Sequence, residues 1–245
     1  MKKFPQLFFI TIGFLSLLLS DALAQKPEVI KFTTAKVKTG DNIMWKDPLM
    51  DDSDWKTVKT SLCFEKQGFA NYDGYIWYRI HFFMPALLLN NAVDKDRIIL
   101  NLGLIDDVDA TYLNGVFVGK TGTFPDDTQG YNSGYNSLCY EDRSYFASVK
   151  KTNLNLNGDN VIAIRVYDGR NDGGMLGSIP ELCVMDMSHA LGLTCTISNN
   201  TIDVRISNKT DNELDLKLDL KEERENLNFT TNITTENHYC LVKRD

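Results

Sequence analysis

The stretch Gly74-Tyr75-Ile76-Trp77-Tyr78-Arg79-Ile80-His81-Phe82-Phe83 decides how the rest of this chain is read. Side chains alternate along a strand. One face then carries Tyr78, Ile80 and Phe82, and the other carries Trp77, Arg79 and His81. Aromatic and β-branched residues dominate and no helical period fits, so the segment is a strand. The same two-faced pattern recurs outward from it. At Val108–Leu113, Val108, Ala110 and Tyr112 share a face, and Asp109 and Thr111 share the other with the preceding Asp107. At Val161–Tyr167, Ile162, Ile164 and Val166 oppose Ala163, Arg165 and Tyr167. Arg97–Leu102 and Val116–Val118 are further strands. Asn114-Gly115 joins two of these as a hairpin, since both residues tolerate the positive φ of a type I′ turn. Long polar loops at Gly119–Arg143 and Asp168–Gly177 punctuate the series. The fold class expected is mostly β, a sandwich of short antiparallel strands.

Before this body stands a positive pair, Lys2-Lys3, then an apolar run from Leu7 to Leu19, then Ala22-Leu23-Ala24. That order is a secretory signal peptide with cleavage after Ala24, which predicts a secreted or periplasmic protein with no membrane span in the mature chain. Residues 1–24 are thus the signal peptide and 25–188 the main β domain. Near His189 the composition turns to Asn, Thr, Asp, Glu and Lys, with alternation at Ile202–Ile206 and Leu214–Leu220. Residues 189–245 are read as a small, partial Ig-like β domain.

A net charge of −7 with scattered Lys and Arg excludes nucleic acid as the partner. Cys63, Cys139, Cys183, Cys195 and Cys240 are odd in number and widely spaced, with no C-x-x-C pair, so spacing predicts no zinc site. The Asp-rich loops offer oxygen ligands for a structural Ca²⁺, although no EF-hand spacing occurs; no other cofactor is expected.

Signatures of catalysis are missing. There is no G-x-S-x-G elbow, and Gly40-Asp41 and Gly158-Asp159 are each followed by Asn rather than Ser. His81, His189 and His238 have no neighbouring nucleophile motif. Asp51-Asp52, Asp106-Asp107 and Asp126-Asp127 are carboxylate pairs, but adjacent strand residues point to opposite faces, so they are read as turn and loop residues with Asp107 as the exception. No residue is assigned a catalytic role. Two readings remain for the polar faces. Arg and Asp form an ion-pair ladder that stiffens the sheet, or Trp77, Arg79, Asp107, Asp109, Arg165 and Tyr167 form one sugar-binding surface. Sugars need flat apolar area for their C–H faces and fixed donors and acceptors for their hydroxyls, and these six supply both.

Four segments, in order, resemble the sugar-binding domain of glycoside hydrolase family 2. They are Asp51-Asp52-Ser53-Asp54-Trp55, Gly74-Tyr75-Ile76-Trp77-Tyr78-Arg79 with Phe82 and Pro85, Tyr112-Leu113-Asn114-Gly115 closing with Val118-Gly119, and Asn160-Val161-Ile162-Ala163-Ile164-Arg165-Val166-Tyr167-Asp168. The resemblance covers about residues 40 to 187 and implies a galactose-binding-like jelly roll. Ile105–Asp109 and the loop Gly173–Gly177 resemble the branch that accompanies sialate O-acetylesterases. The family's catalytic glutamates stand on a barrel of about 250 residues, which 189–245 cannot hold. Asn212-Glu213 reproduces the family's acid/base dipeptide but introduces an alternating strand, so it is not carried over. The expected function is a secreted, non-catalytic carbohydrate-binding or accessory module, partnered by a glycan and by a separate catalytic chain. The alternatives are the N-terminal part of a polysaccharide-degrading hydrolase, β-galactosidase-like or a sialate O-acetylesterase, and a spacer that binds nothing.

Overall fold

The computed structural model describes residues 29–125, 135–198, 201–210, 214–221, 226–233 and 239–243. The signal peptide, Asp126-Asp127 and Asn212-Glu213 lie outside the described residues. Two compact units divide the chain, one within Pro27–His189 and one within Ala190–Asp245.

Among the described residues, eleven strands build the first unit: β1 (Val29–Lys31), β2 (Thr34–Thr39), β3 (Lys56–Lys59), β4 (Gly74–Met84), β5 (Asp94–Asp106), β6 (Val108–Leu113), β7 (Val116–Thr121), β8 (Asp142–Ser148), β9 (Gly158–Asp168), β10 (Gly174–Leu176) and β11 (Glu181–Met185). They form two antiparallel sheets. One has the order β3-β2-β4-β9-β6-β7, and the other β1-β11-β5-β10 with β8 also paired to β5. Between them lies one apolar core. Ile76, Tyr78, Ile80, Ile162, Ile164 and Val166 face Ile98, Leu100, Leu102, Leu182 and Val184. The period-2 pattern of β4 and β9 therefore reads correctly: the residues expected to be greasy and inward are the core. This sandwich matches the expected fold class.

The Asn114-Gly115 turn forms as its sequence requires, with φ of 49° and 80°. The Asn114 side chain then anchors the hairpin. Its Nδ2 donates to Asn160 Oδ1 at 2.9 Å, and its Oδ1 accepts from the Val161 amide at 3.0 Å. Asn160 in turn binds the backbone at Asn155 and Gly158.

The second unit contains β12 (Leu191–Ser198), β13 (Thr201–Asn208), β14 (Leu214–Lys221), β15 (Asn226–Ile233) and β16 (Tyr239–Lys243). β12, β13 and β16 form one antiparallel sheet and β14 pairs with β15. The two alternating segments of the tail are β13 and β14. Among the described residues no helix is long and apolar enough to cross a membrane.

Candidate functional site

The six residues expected to share one surface do not share it. Trp77 lies opposite Arg165 on β9, and Arg165 lies opposite Ala110 on β6. The Trp77 face of β6 is therefore Val108, Ala110 and Tyr112. Asp109 lies opposite Val166, on the face that looks into the sandwich. It is fully buried. Its carboxylate accepts from Arg143 Nε at 3.0 Å, Tyr145 Oη at 2.9 Å and Thr111 Oγ1 at 3.1 Å. Arg143 and Tyr145 belong to β8, so this cluster bridges the two sheets from within. Burial pushes the Asp109 carboxyl up to about 6, against the pull of Arg143.

The expected orientation of Asp109 is thus corrected, and the physical reason is that both faces of β6 are covered. Val108 and Ala110 are buried with Phe124 on one side while Asp109 and Thr111 are buried on the other. Alternation separates inside from outside only where one face meets water.

Trp77 and Arg79 do occupy the expected face, but that face is closed. The segment 40–55 lies across it. Trp77 is fully buried with Trp55 and Ala163, and Trp45, Met50 and Tyr112 pack around them. The Trp77 indole donates to Asp41 Oδ1 at 3.0 Å. Arg79 is fully buried as well. Its Nε donates to Asp52 Oδ2 at 2.6 Å, and its terminal nitrogens donate to the carbonyls of Trp45, Asp47 and Met50 at 2.5, 2.8 and 3.2 Å. Five donors in a planar fork suit this task of gathering a loop's carbonyls. Burial opposes ionisation of Asp52, yet hydrogen bonds from His81 and Arg79 hold its carboxyl below its ordinary value. Arg165 grips Asp41 with two bonds, at 2.8 and 2.5 Å, and lies over Tyr75 and Phe124. Tyr167 packs between Tyr75 and Tyr135. The aromatic rings expected to stack on a sugar stack on one another.

Asp107 joins a third constellation. It stands where β5 passes into β6, beside the end of β9 and the start of β10. Its Oδ2 accepts from the Gly169 amide at 2.9 Å and its Oδ1 from Ser137 at 2.5 Å. Asp168 closes β9 there and is fully buried. Oδ1 accepts from the Arg170 amide at 3.2 Å, whereas Oδ2 has no hydrogen-bond partner. Glu65, from the turn Phe64–Gln67, accepts from the Gly173 amide at 3.0 Å through Oε2, and its buried Oε1 is likewise unmatched. The hydroxyl of Tyr78, also fully buried, is the third such atom among the described residues.

Few opposing charges reach this corner, and its ionisation shows it. Burial pushes Asp168 up to about 7, helped by the charges of Asp107, Glu65 and Asp106. Burial and Asp107 push Asp106 up to about 7. Burial raises Glu65. A buried carboxyl that retains a proton near neutrality can both donate and accept, and an unmatched buried oxygen costs about 1–3 kcal/mol. Such a group gains from any ligand that supplies a donor or a positive charge. Two sets of metal-ligating type flank Asp168, namely Cys63, Glu65 and Asp172, and Asp106, Asp107 and Cys139. Within each set one ligand atom per residue lies within 4.8 Å of the others. An open cleft of about 460 Å³ leads in, lined by Glu65, Asn71, Asp73, Arg170, Asn171 and Asp172.

The carboxylate pair Asp106-Asp107 and the glycine-rich loop after Asp168 are visible in the sequence. Glu65 is not: it sits between Phe64 and Lys66 in an ordinary polar turn, and only folding brings it to Gly173.

No family model and no curated protein matches this chain. Solved structures do. A β-glucuronidase from glycoside hydrolase family 2 superposes with a TM-score of 0.55 at 13% identity, over 87% of this chain and 26% of that one. Bacteroides uniformis β-glucuronidase gives 0.57 at 15%, over 89% and 27%. A β-glucuronidase of an uncultured Clostridium species gives 0.51 at 14%, over 89% and 40%. The chain spans about a quarter of the length of the first two. What is shared is the fold, which is the one the sequence motifs imply.

Proposed function

We propose that this chain is a secreted carbohydrate-binding domain of the glycoside hydrolase family 2 sugar-binding type, which delivers or steadies a glycan for a catalytic unit. The observation that carries the proposal is the open polar cleft lined by Glu65, Asn71, Asp73, Arg170, Asn171 and Asp172. Sugar hydroxyls are donors and acceptors at fixed spacing. Asp73, Arg170 and Asn171 offer them complementary groups. An open cleft excludes little water, so affinity for a single sugar is weak and a polymer binds better through repetition.

The test is a glycan array with the mature chain, followed by retention on the best polysaccharide. The wild-type chain is retained and Asp73→Ala, which changes the lining of the cleft, is not. Equal retention of the two proteins overturns the reading, as does a wild-type chain that binds no glycan.

A second reading is supported by the solved structures themselves, which are glycosidases of which this chain matches a fraction. In it the domain is one part of a polysaccharide-degrading hydrolase, and catalysis resides on residues outside this sequence. The gene sequence that follows the codon of Asp245 distinguishes the two, a barrel or esterase frame there favouring the second; nitrophenyl glycosides and nitrophenyl acetate test the first alone. The chain itself is expected to turn over neither. Export is checked by N-terminal sequencing of the protein from periplasm or medium, which should begin at Gln25.

A further inference from the structure

Three side chains of different origin meet at the corner made by Gly173 and Gly174. The turn Phe64–Gln67 delivers Glu65, with Cys63 just before it, and the loop after β9 delivers Asp172. Cys63 Sγ lies 3.6 Å from Asp172 Oδ2 across a sequence separation of 109 residues. Folding pins this meeting in place: the Phe64 amide donates to the Gly173 carbonyl at 3.2 Å, and the Gly173 amide donates to Glu65 at 3.0 Å.

The corner leaves no room for a side chain on either glycine. A Cβ on Gly174 would lie 2.2 Å from Tyr78 Oη, and one on Gly173 would lie 2.5 Å from the Asp168 carboxylate. Gly174 also has a φ of +94°, which β-carbon residues rarely adopt. Both positions thus yield space to polar oxygens. Tyr78 is fully buried, and its hydroxyl is directed at this corner with no hydrogen-bond partner. Glu65 Oε1 and Asp168 Oδ2 are unmatched at the same place. Two unmatched buried carboxylate oxygens and one unmatched phenol hydroxyl thus stand beside a thiol and a second carboxylate.

We propose that Cys63, Glu65 and Asp172 bind a thiophilic divalent cation of the Zn²⁺ class. One sulfur and two carboxylate oxygens are a donor set such ions accept in four-coordinate geometry, with water as the fourth ligand. The ligand atoms already lie within 4.8 Å of one another. Small rotations bring them to bonds of about 2.0–2.3 Å. Binding replaces the Cys63 S–H proton, which leaves to solvent, with the metal–sulfur bond. It also displaces Lys66, whose ammonium lies 3.3 Å from Asp172 and is well exposed. Tyr78 supplies a hydroxyl to hydrogen-bond a ligating carboxylate or the bound water, the outer support that metal sites use. The cleft beside Glu65 and Asp172 provides the entry path. None of this depends on carbohydrate binding, because the metal is read without a sugar present.

The mature chain is stripped with a chelator and titrated with Co²⁺, a spectroscopic stand-in for Zn²⁺. One equivalent should bind and give a near-ultraviolet thiolate-to-cobalt band. Zn²⁺ should bleach that band and raise the melting temperature. Cys63→Ser should abolish the band, while Cys139→Ser and Cys183→Ser keep it. Asp172 is exposed, so Asp172→Ala leaves folding intact. It should weaken Zn²⁺ binding by at least about tenfold, since even outer supports of a metal are worth that much. The proposal is overturned if no cobalt binds, if the band survives in Cys63→Ser, or if Asp172→Ala binds Zn²⁺ as the wild type does.

Discussion

Two regions of the first unit, the closed face around Trp77 and the acidic corner around Asp168, follow opposite rules. On the closed face the polar groups described are matched. Arg79 serves Asp52 and three carbonyls, Arg165 serves Asp41, and Asp41 also holds the Trp77 indole. At the corner, three buried oxygens have no partner and two carboxyls have risen to about 7. A closed, matched network stabilises a fold. An unmatched one weakens it and persists where a ligand completes it. The residues most conspicuous in sequence thus brace the fold, and the candidate site is made of residues that attract less notice.

The sharpest way to break this comparison is to unmatch a brace. In the matched cluster inside the sandwich, Asp109→Asn leaves Arg143 buried without its counter-charge, and urea unfolding should show a loss of about 3–5 kcal/mol. Next comes Arg79→Met, which frees the segment 40–55 but leaves Asp52 its bond to His81. A loss of about 2–3 kcal/mol is expected, with faster proteolytic cleavage between residues 40 and 55.

A gentler test is pH, because the two aspartate braces respond with opposite sign. Asp109 holds its proton more tightly when folded, so its contribution is complete below the ordinary carboxyl value and is lost as pH rises through about 6. Asp52 holds its proton less tightly when folded. Its contribution is present above the ordinary value and is lost as pH falls through its lowered one. Relative to Asp109→Asn, the wild type should therefore lose ground between pH 4 and 7. Relative to Asp52→Asn, it should lose ground only below about pH 4. Curves that run parallel would erase the distinction.

The smallest effect belongs to the corner. Asp168→Asn removes a buried, unmatched carboxylate without changing shape. Its stability should stay within about 1 kcal/mol of wild type. A loss comparable with that of Asp109→Asn would make Asp168 one more brace.

The sandwich was legible because β4 and β9 alternate cleanly and because Asn114-Gly115 permits one turn. The orientation of β6 was not, since a strand covered on both sides gives its alternation no solvent to refer to. Arg79 and Asp52 could be recognised as motif residues but not as partners, because the pairing runs between a strand and a loop 27 positions away. The corner was half legible. Asp106, Asp107 and the glycines after Asp168 stood out, whereas Cys63, Glu65 and Tyr78 come from segments whose local pattern says only turn or strand. Spacing rules find metal ligands that are neighbours along the chain, and Cys63 and Asp172 are neighbours only in space.

The packing of the closed face has an optical corollary. The chain has three tryptophans, and all three stand together, Trp45 lying 5.1 Å from Trp55 and 6.3 Å from Trp77. Intrinsic fluorescence of this protein is therefore a local meter. Its emission reports whether the segment 40–55 is seated on β4, and it is silent about the acidic corner, where no indole stands. A red shift that precedes the loss of β-sheet circular dichroism on heating would time the lifting of that segment, and a glycan or a zinc ion titrated into the folded protein should leave the spectrum where it was.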